Sequence, residues 1–189
     1  GPQFRRSGTI RLRVRPNGFG TVADPDLYVD GADLVAPTGR FPLSGATLDS
    51  LATSAGVQPG KPEGLYHDGS GADRSETVAV DPIAAAEITA AFVRGDDALR
   101  RLVPGETPVL WPEHFDLGIG ADEVNYGISP GDEWLGEPYA YVGPWRPRTG
   151  AFWTAPFGAA RPMRELSDAD AVLAFLTEGR DRAAGADRP

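Results

Sequence analysis

The chain contains no cysteine. Disulfides and thiolate metal sites are therefore excluded, while either redox compartment stays open. Lysine is almost as scarce: Lys61 stands alone, and every other basic residue is arginine. Acidic residues outnumber basic ones 27 to 18, for a formal net charge of -9. Phosphate contacts need clustered Lys and Arg, so this balance argues against nucleic acid and against an anionic membrane surface as partners. No apolar run approaches the roughly 18 residues of a membrane span, and the start lacks a signal-peptide pattern. The expectation is a cytoplasmic protein. No phosphate-cradling glycine loop, nucleophile elbow or two-histidine zinc helix is present.

What is abundant is punctuation. The 189 residues include 24 Gly and 18 Pro, which predicts short elements joined by many turns. One α+β domain is expected over residues 9–179. Residues 1–8 read as a tag-derived or disordered start and 180–189 as a disordered tail. Thr9 to Val14 alternates Ile10, Leu12 and Val14 with Arg11 and Arg13, the pattern of a half-buried strand. Leu27 to Val35 is extended, with a turn at Asp30-Gly31. Ser44 to Ala55 reads as a helix stopped by Gly56, and Gly56 to Glu76 as a loop. Asp81-Pro82 opens a helix with Ile83, Ala84, Ile88, Ala91 and Phe92 inward; Gly95 interrupts it, and a second piece ends near Leu102. Ser167 starts a last helix that Gly179 stops.

From Pro108 the pattern turns to strands. Val109 to Ile119, Glu123 to Ile128, Tyr139 to Val142 and Ala151 to Phe157 are separated by Gly, Pro and Asp turns. The fold expected is α+β: a mostly antiparallel sheet, with a C-terminal four-strand meander and three or four helices on one side.

His67 lies in the Gly-rich loop beside Asp68; it reads as solvated or as part of a lid. His114 sits in Trp111-Pro112-Glu113-His114-Phe115-Asp116. On a strand, His114 and Asp116 share one face. The carboxylate would orient the imidazole as a base or ligand, or merely satisfy a structural histidine. Further on, Glu123 and Asn125 share a face, and Val124, Tyr126 and Ile128 share the other. Pairing with the preceding strand would bring Glu123 or Asn125 across from His114 or Asp116. Ser129-Pro130-Gly131-Asp132 is turn chemistry. All four Trp fall in the second half, at 111, 134, 145 and 153, with Tyr139, Tyr141, Phe152 and Phe157. Such a group forms either a core or a ring-stacking platform.

The segments Leu110–Asp116, Val124–Asp132 and Glu137–Trp145 resemble those of an uncharacterised actinobacterial protein family. Phe152-Trp153 and Phe157–Ala160 extend the resemblance over most of the chain. It implies a bacterial, intracellular protein and brings no activity, cofactor or site residue with it.

The site expected from sequence is a pocket on the sheet for a small polar ligand. His114, Asp116 and Glu123 are its acid-base groups; Trp111, Asn125, Tyr126, Trp134 and Trp145 are its ligand-contacting residues. Cofactor and metal are left open by the sequence; His114 and Asp116 on one strand face could reach a common metal. The other reading is a protein-interaction module in which the same residues are structural or interfacial.

Overall fold

In the computed structural model, which describes residues 1–65 and 71–185, the chain forms two compact units, Gly1–Thr89 and Ala90–Pro189. The architecture is α+β, and every strand pair within each unit is antiparallel.

The first unit begins with helix α1 (Pro2–Ser7), where a disordered start was expected. Gln3 explains the difference. It is buried, and its amide is fully used: Nε2 donates to the Thr9 and Arg11 carbonyls, and Oε1 accepts from Val22 N at 2.7 Å and Ala23 N at 2.8 Å. A buried amide with its donors and acceptors partnered pins the segment. Strands β1 (Leu12–Arg15), β2 (Gly18–Thr21), β3 (Tyr28–Asp30), β4 (Asp33–Ala36) and β5 (Gly39–Pro42) follow as a consecutive meander. Asp26 pairs with Arg13 and Arg15 of β1. Helix α2 (Leu48–Ser54) starts with a reciprocal cap between Thr47 and Ser50. His67 and Asp68 lie outside the described residues.

Helix α3 (Pro82–Leu102) runs without the expected break at Gly95. Asp81 caps it by accepting from Ile83 N and Ala84 N. Its first turns are exposed, with Ile83 at 71%; the face buried is Ala91, Phe92, Gly95, Ala98, Leu99 and Leu102.

The second unit holds a meander of strands β6 (Val109–Trp111), β7 (Asp116–Ala121), β8 (Val124–Ser129), β9 (Tyr139–Pro144) and β10 (Ala159–Pro162). The single strand expected over 109–119 is two strands, because Pro112–Phe115 form a turn with Phe115 at φ 53°. The last strand lies at 159–162 instead of 151–157. Helix α4 (Ala169–Gly185) takes its cap from Asp168, which accepts from Ala171 N, and continues through residues expected in the tail.

One face of this second sheet makes the core. Leu117, Tyr126, Ile128 and Val142 are buried completely. The helices approach it through glycines. A Cβ on Gly95 would meet Ile128 Cγ1 at 2.2 Å, and one on Gly179 would meet Val142 Cγ2 at 2.6 Å. Both positions expected as helix stops are contact points, each within a continuous helix.

Candidate functional site

The pleat assigns side chains to faces. Cross-strand partners share a face, as do alternate residues of one strand. The rows Trp111–Asp116, Gly118–Gly127–Tyr141 and Ser129–Tyr139 therefore project away from the core, with Asn125 beside them.

Tyr141 dominates this second face. A Cβ on Gly127 would lie 2.4 Å from its hydroxyl oxygen, and one on Gly118 3.2 Å away. The two glycines form a floor across which the ring reaches β7. There its hydroxyl donates to Asp116 Oδ2 at 2.5 Å. Burial raises the phenol's pKa, and the negative charge of Asp116 raises it further. The group is therefore a fixed donor at neutral pH.

Tyr139 forms the second such pair. Its hydroxyl donates to Asp132 Oδ2 at 2.7 Å, and burial with that bond pushes the phenol up to about 12. Asp132 Oδ1 accepts from Trp134 N and Leu135 N. Its carboxyl is held below the usual carboxylate range, chiefly by the Tyr139 hydroxyl. Ser129 ends β8, and the Pro130-Gly131-Asp132 segment after it, where a turn is expected from sequence, is tied by its aspartate to the strand that follows.

Trp134 and Phe157 lie against Tyr139. Ring centroids are 5.5 Å apart for Trp134–Tyr139, 5.4 Å for Trp134–Phe157 and 6.1 Å for Tyr139–Phe157; Tyr141 joins at 6.3 Å from Phe157. These are direct ring-to-ring contacts, in the range of about 4.5–7 Å for packed aromatics. They leave no slot for a ligand between the rings, so the cluster offers its outer surface. Trp134 is 43% exposed and Phe157 38%. Trp145, 66% exposed, is held by its indole N–H donating to Asn125 Oδ1 at 3.2 Å.

The residues expected at the site are divided by this geometry. Trp111, Asp116 and Asn125 project from the second face, and Trp145 is bonded to Asn125 there. Trp134 belongs to the ring cluster. His114 is not on a strand face with Asp116; it is exposed in the turn before β7. Glu123 lies past the other end of β7, in the two-residue turn at φ 61°, within 3.7 Å of Arg146. Five strand steps from Asp116 to Ala121 cover about 17 Å at about 3.3 Å each. Tyr126 points the other way, into the core, and its hydroxyl oxygen is buried there with no hydrogen-bond partner.

Tyr141 and Asp132 escaped the sequence reading. The usable signal was Tyr-x-Tyr on a strand facing glycines on two neighbouring strands. Among the described residues, no group of three or more His, Asp or Glu side chains is arranged to hold a metal, and no helix is long and apolar enough to cross a membrane. A shallow, open depression lies elsewhere, on α4 between Arg101, Asp170, Leu173 and Arg182.

No family model, curated protein or solved structure matches the chain.

Proposed function

We propose that the protein is an interaction module, and that the aromatic face of the second unit is its binding surface for another polypeptide. The observation that carries this is the exposed Trp134–Phe157 pair, backed by Tyr139 and Tyr141, whose hydroxyls are tied to Asp132 and Asp116. Rings held in one place lose little conformational freedom on binding, and Trp and Tyr dominate the energetic centres of protein interfaces. An acid-base enzyme needs its titrating groups around one hollow. Here His114 and Glu123 are exposed at opposite ends of β7.

The test is site-specific photo-crosslinking in cells that naturally make the chain. A benzophenone amino acid is placed at Trp134 and at Trp145, with Thr177 on α4 as the control. A discrete polypeptide adduct at 134 or 145, absent at 177, is expected. Adducts of small molecules alone, or equal labelling at all three positions, would defeat the reading.

A further inference from the structure

We infer that the polypeptide bound at this face presents an arginine side chain, seated on Trp134 beside Asp132. The inference rests on the reading of the face as an interaction surface.

The argument begins from how this chain treats its carboxylates. In the second unit, Asp96, Asp97, Glu123, Glu137, Asp170 and Glu178 each have an arginine partner within 4 Å. Among the described residues Asp116 and Asp132 do not, and neither do the exposed Glu106, Asp122, Glu133 and Asp168; what sets Asp116 and Asp132 apart is that each is bonded to a tyrosine of the ring cluster. Among the described residues, no Lys or Arg forms an ion pair with either, and their side-chain hydrogen bonds come from neutral donors: Tyr141 to the first, and Tyr139, Trp134 N and Leu135 N to the second. The two negative charges that border the ring cluster are thus left without a cation.

Both retain room for one. A carboxylate offers about four acceptor sites. Asp132 uses three in these bonds and Asp116 one. The Asp132 carboxyl is also depressed in pKa, first by the Tyr139 hydroxyl, so it stays charged at neutral pH. Next to it stands the half-exposed indole of Trp134, whose ring packs at a steep angle against Tyr139 and Phe157. An aromatic face with an adjoining unpaired carboxylate is the recognition chemistry of a guanidinium, which stacks on the ring and forks towards the acid. A lysine ammonium meets the charge but not the stacking geometry. Acidic partners are disfavoured by the same two carboxylates and by the net charge of -9.

The test uses the full chain and a defined probe, acetyl-Gly-Arg-Gly-Arg-Gly-amide, followed by the Trp134 indole N–H resonance, which Trp134→Phe assigns. Saturable shifts at millimolar peptide are expected. The matched peptide with citrulline, equal in shape and uncharged, should bind at least threefold more weakly. Asp132→Asn and Asp116→Asn should each weaken the arginine peptide about two- to fivefold, the range of an exposed cation–ring and ion-pair contact. Raising salt from about 0.05 to 0.5 M should weaken it further. Asp116→Asn leaves the 129–139 turn untouched, so it carries the test if Asp132→Asn disturbs that turn. No shift at 20 mM peptide, or equal binding of the citrulline peptide, overturns the inference. Equal binding of free arginine amide would assign the face to a small cation and overturn it as well. The interaction reading is judged separately: a polypeptide crosslinked at Trp134 through a segment lacking arginine would uphold that reading and end this inference.

Discussion

Tyr141 lies across Gly127 so closely that a methyl group on the glycine would sit 2.4 Å from the phenol oxygen. The same methyl would be 2.5 Å from the Leu117 carbonyl oxygen, which belongs to the neighbouring strand. The ring could swing away, but the strand backbone cannot. Gly127→Ala should therefore cost at least the roughly 1–3 kcal/mol typical of overpacking, read as a lower urea midpoint with an unchanged m-value. Tyr141→Phe and Asp116→Asn should each cost less, about 1 kcal/mol, since Asp116 is half-buried and water can replace the phenol. The double variant should be little worse than the larger single loss, because the two changes break one bond. Additive losses would show that Tyr141 and Asp116 act independently.

The phenols also set the alkaline limit. Tyr126 and Tyr139 are each pushed up to about 12, mainly by burial, and Tyr141 is raised as well. Between the unfolded value near 10 and the folded values, the unfolded chain releases protons that the folded chain keeps. Stability from these groups is complete below about pH 10 and is lost as pH rises through 12, by up to about 1.4 kcal/mol per pH unit for each phenol. Asp132 acts in the opposite sense: its depressed pKa stabilises above the unfolded value near 4, and that contribution fades as pH falls through the folded value. Denaturant midpoints from pH 3 to 12 should form a plateau with a steep alkaline edge. Tyr139→Phe should make that edge less steep. An edge that begins well below pH 9 would contradict these assignments.

Periodicity carried much of the fold. The alternation of Arg11, Leu12, Arg13 and Val14 marked β1, and Asp81-Pro82 marked the start of α3 through a cap that the structure contains. The split of Asn125 from Val124, Tyr126 and Ile128 matched the faces of β8, whereas Glu123 fell in the turn before it. What failed was whatever depends on contacts distant in sequence. Nothing local told Pro112–Phe115 to turn instead of continuing a strand, so His114 was paired with Asp116 through a pleat that ends between them. His114→Ala should accordingly leave the melting temperature within about 1–2 °C, as for other exposed substitutions. Nor could a lone aspartate in Ser-Pro-Gly-Asp announce that it would bind a tyrosine seven residues later. β2 and β5 were missed because Gly18-Phe19-Gly20-Thr21 and Gly39-Arg40-Phe41-Pro42 have too few apolar residues to alternate.

The hairpin between β7 and β8 offers a test of what Glu123 is for. Asp122 and Glu123 both have positive φ, 51° and 61°, the backbone of a two-residue type I′ turn. Glycine is favoured at the second position, and a side chain there costs roughly 1–2 kcal/mol. The exposed Arg146 contact at 3.7 Å offsets little of that. Glu123→Gly should raise the melting temperature by about 2–4 °C and leave the Trp134 and Trp145 crosslinks unchanged. Loss of the crosslinks with folding intact would instead make Glu123 part of the binding surface.

Gly95 and Gly179 make the sharpest prediction, because two readings of them demand opposite signs. If they were interior helix positions facing open space, alanine would add helix propensity, about 1 kcal/mol at each. The structure places them inside α3 and α4, where a methyl would press on Ile128 at 2.2 Å and on Val142 at 2.6 Å. Both of those side chains are completely buried, so they have little room to retreat. Gly95→Ala and Gly179→Ala should therefore destabilise by a net 1–3 kcal/mol or so. Trimming the opposing side chain should recover part of the loss: Ile128→Val with Gly95→Ala, and Val142→Ala with Gly179→Ala, should each be more stable than the sum of its two single changes. Equilibrium unfolding in urea decides the matter, since a stabilising alanine at either position would mean that the helix does not pack where this sheet requires it.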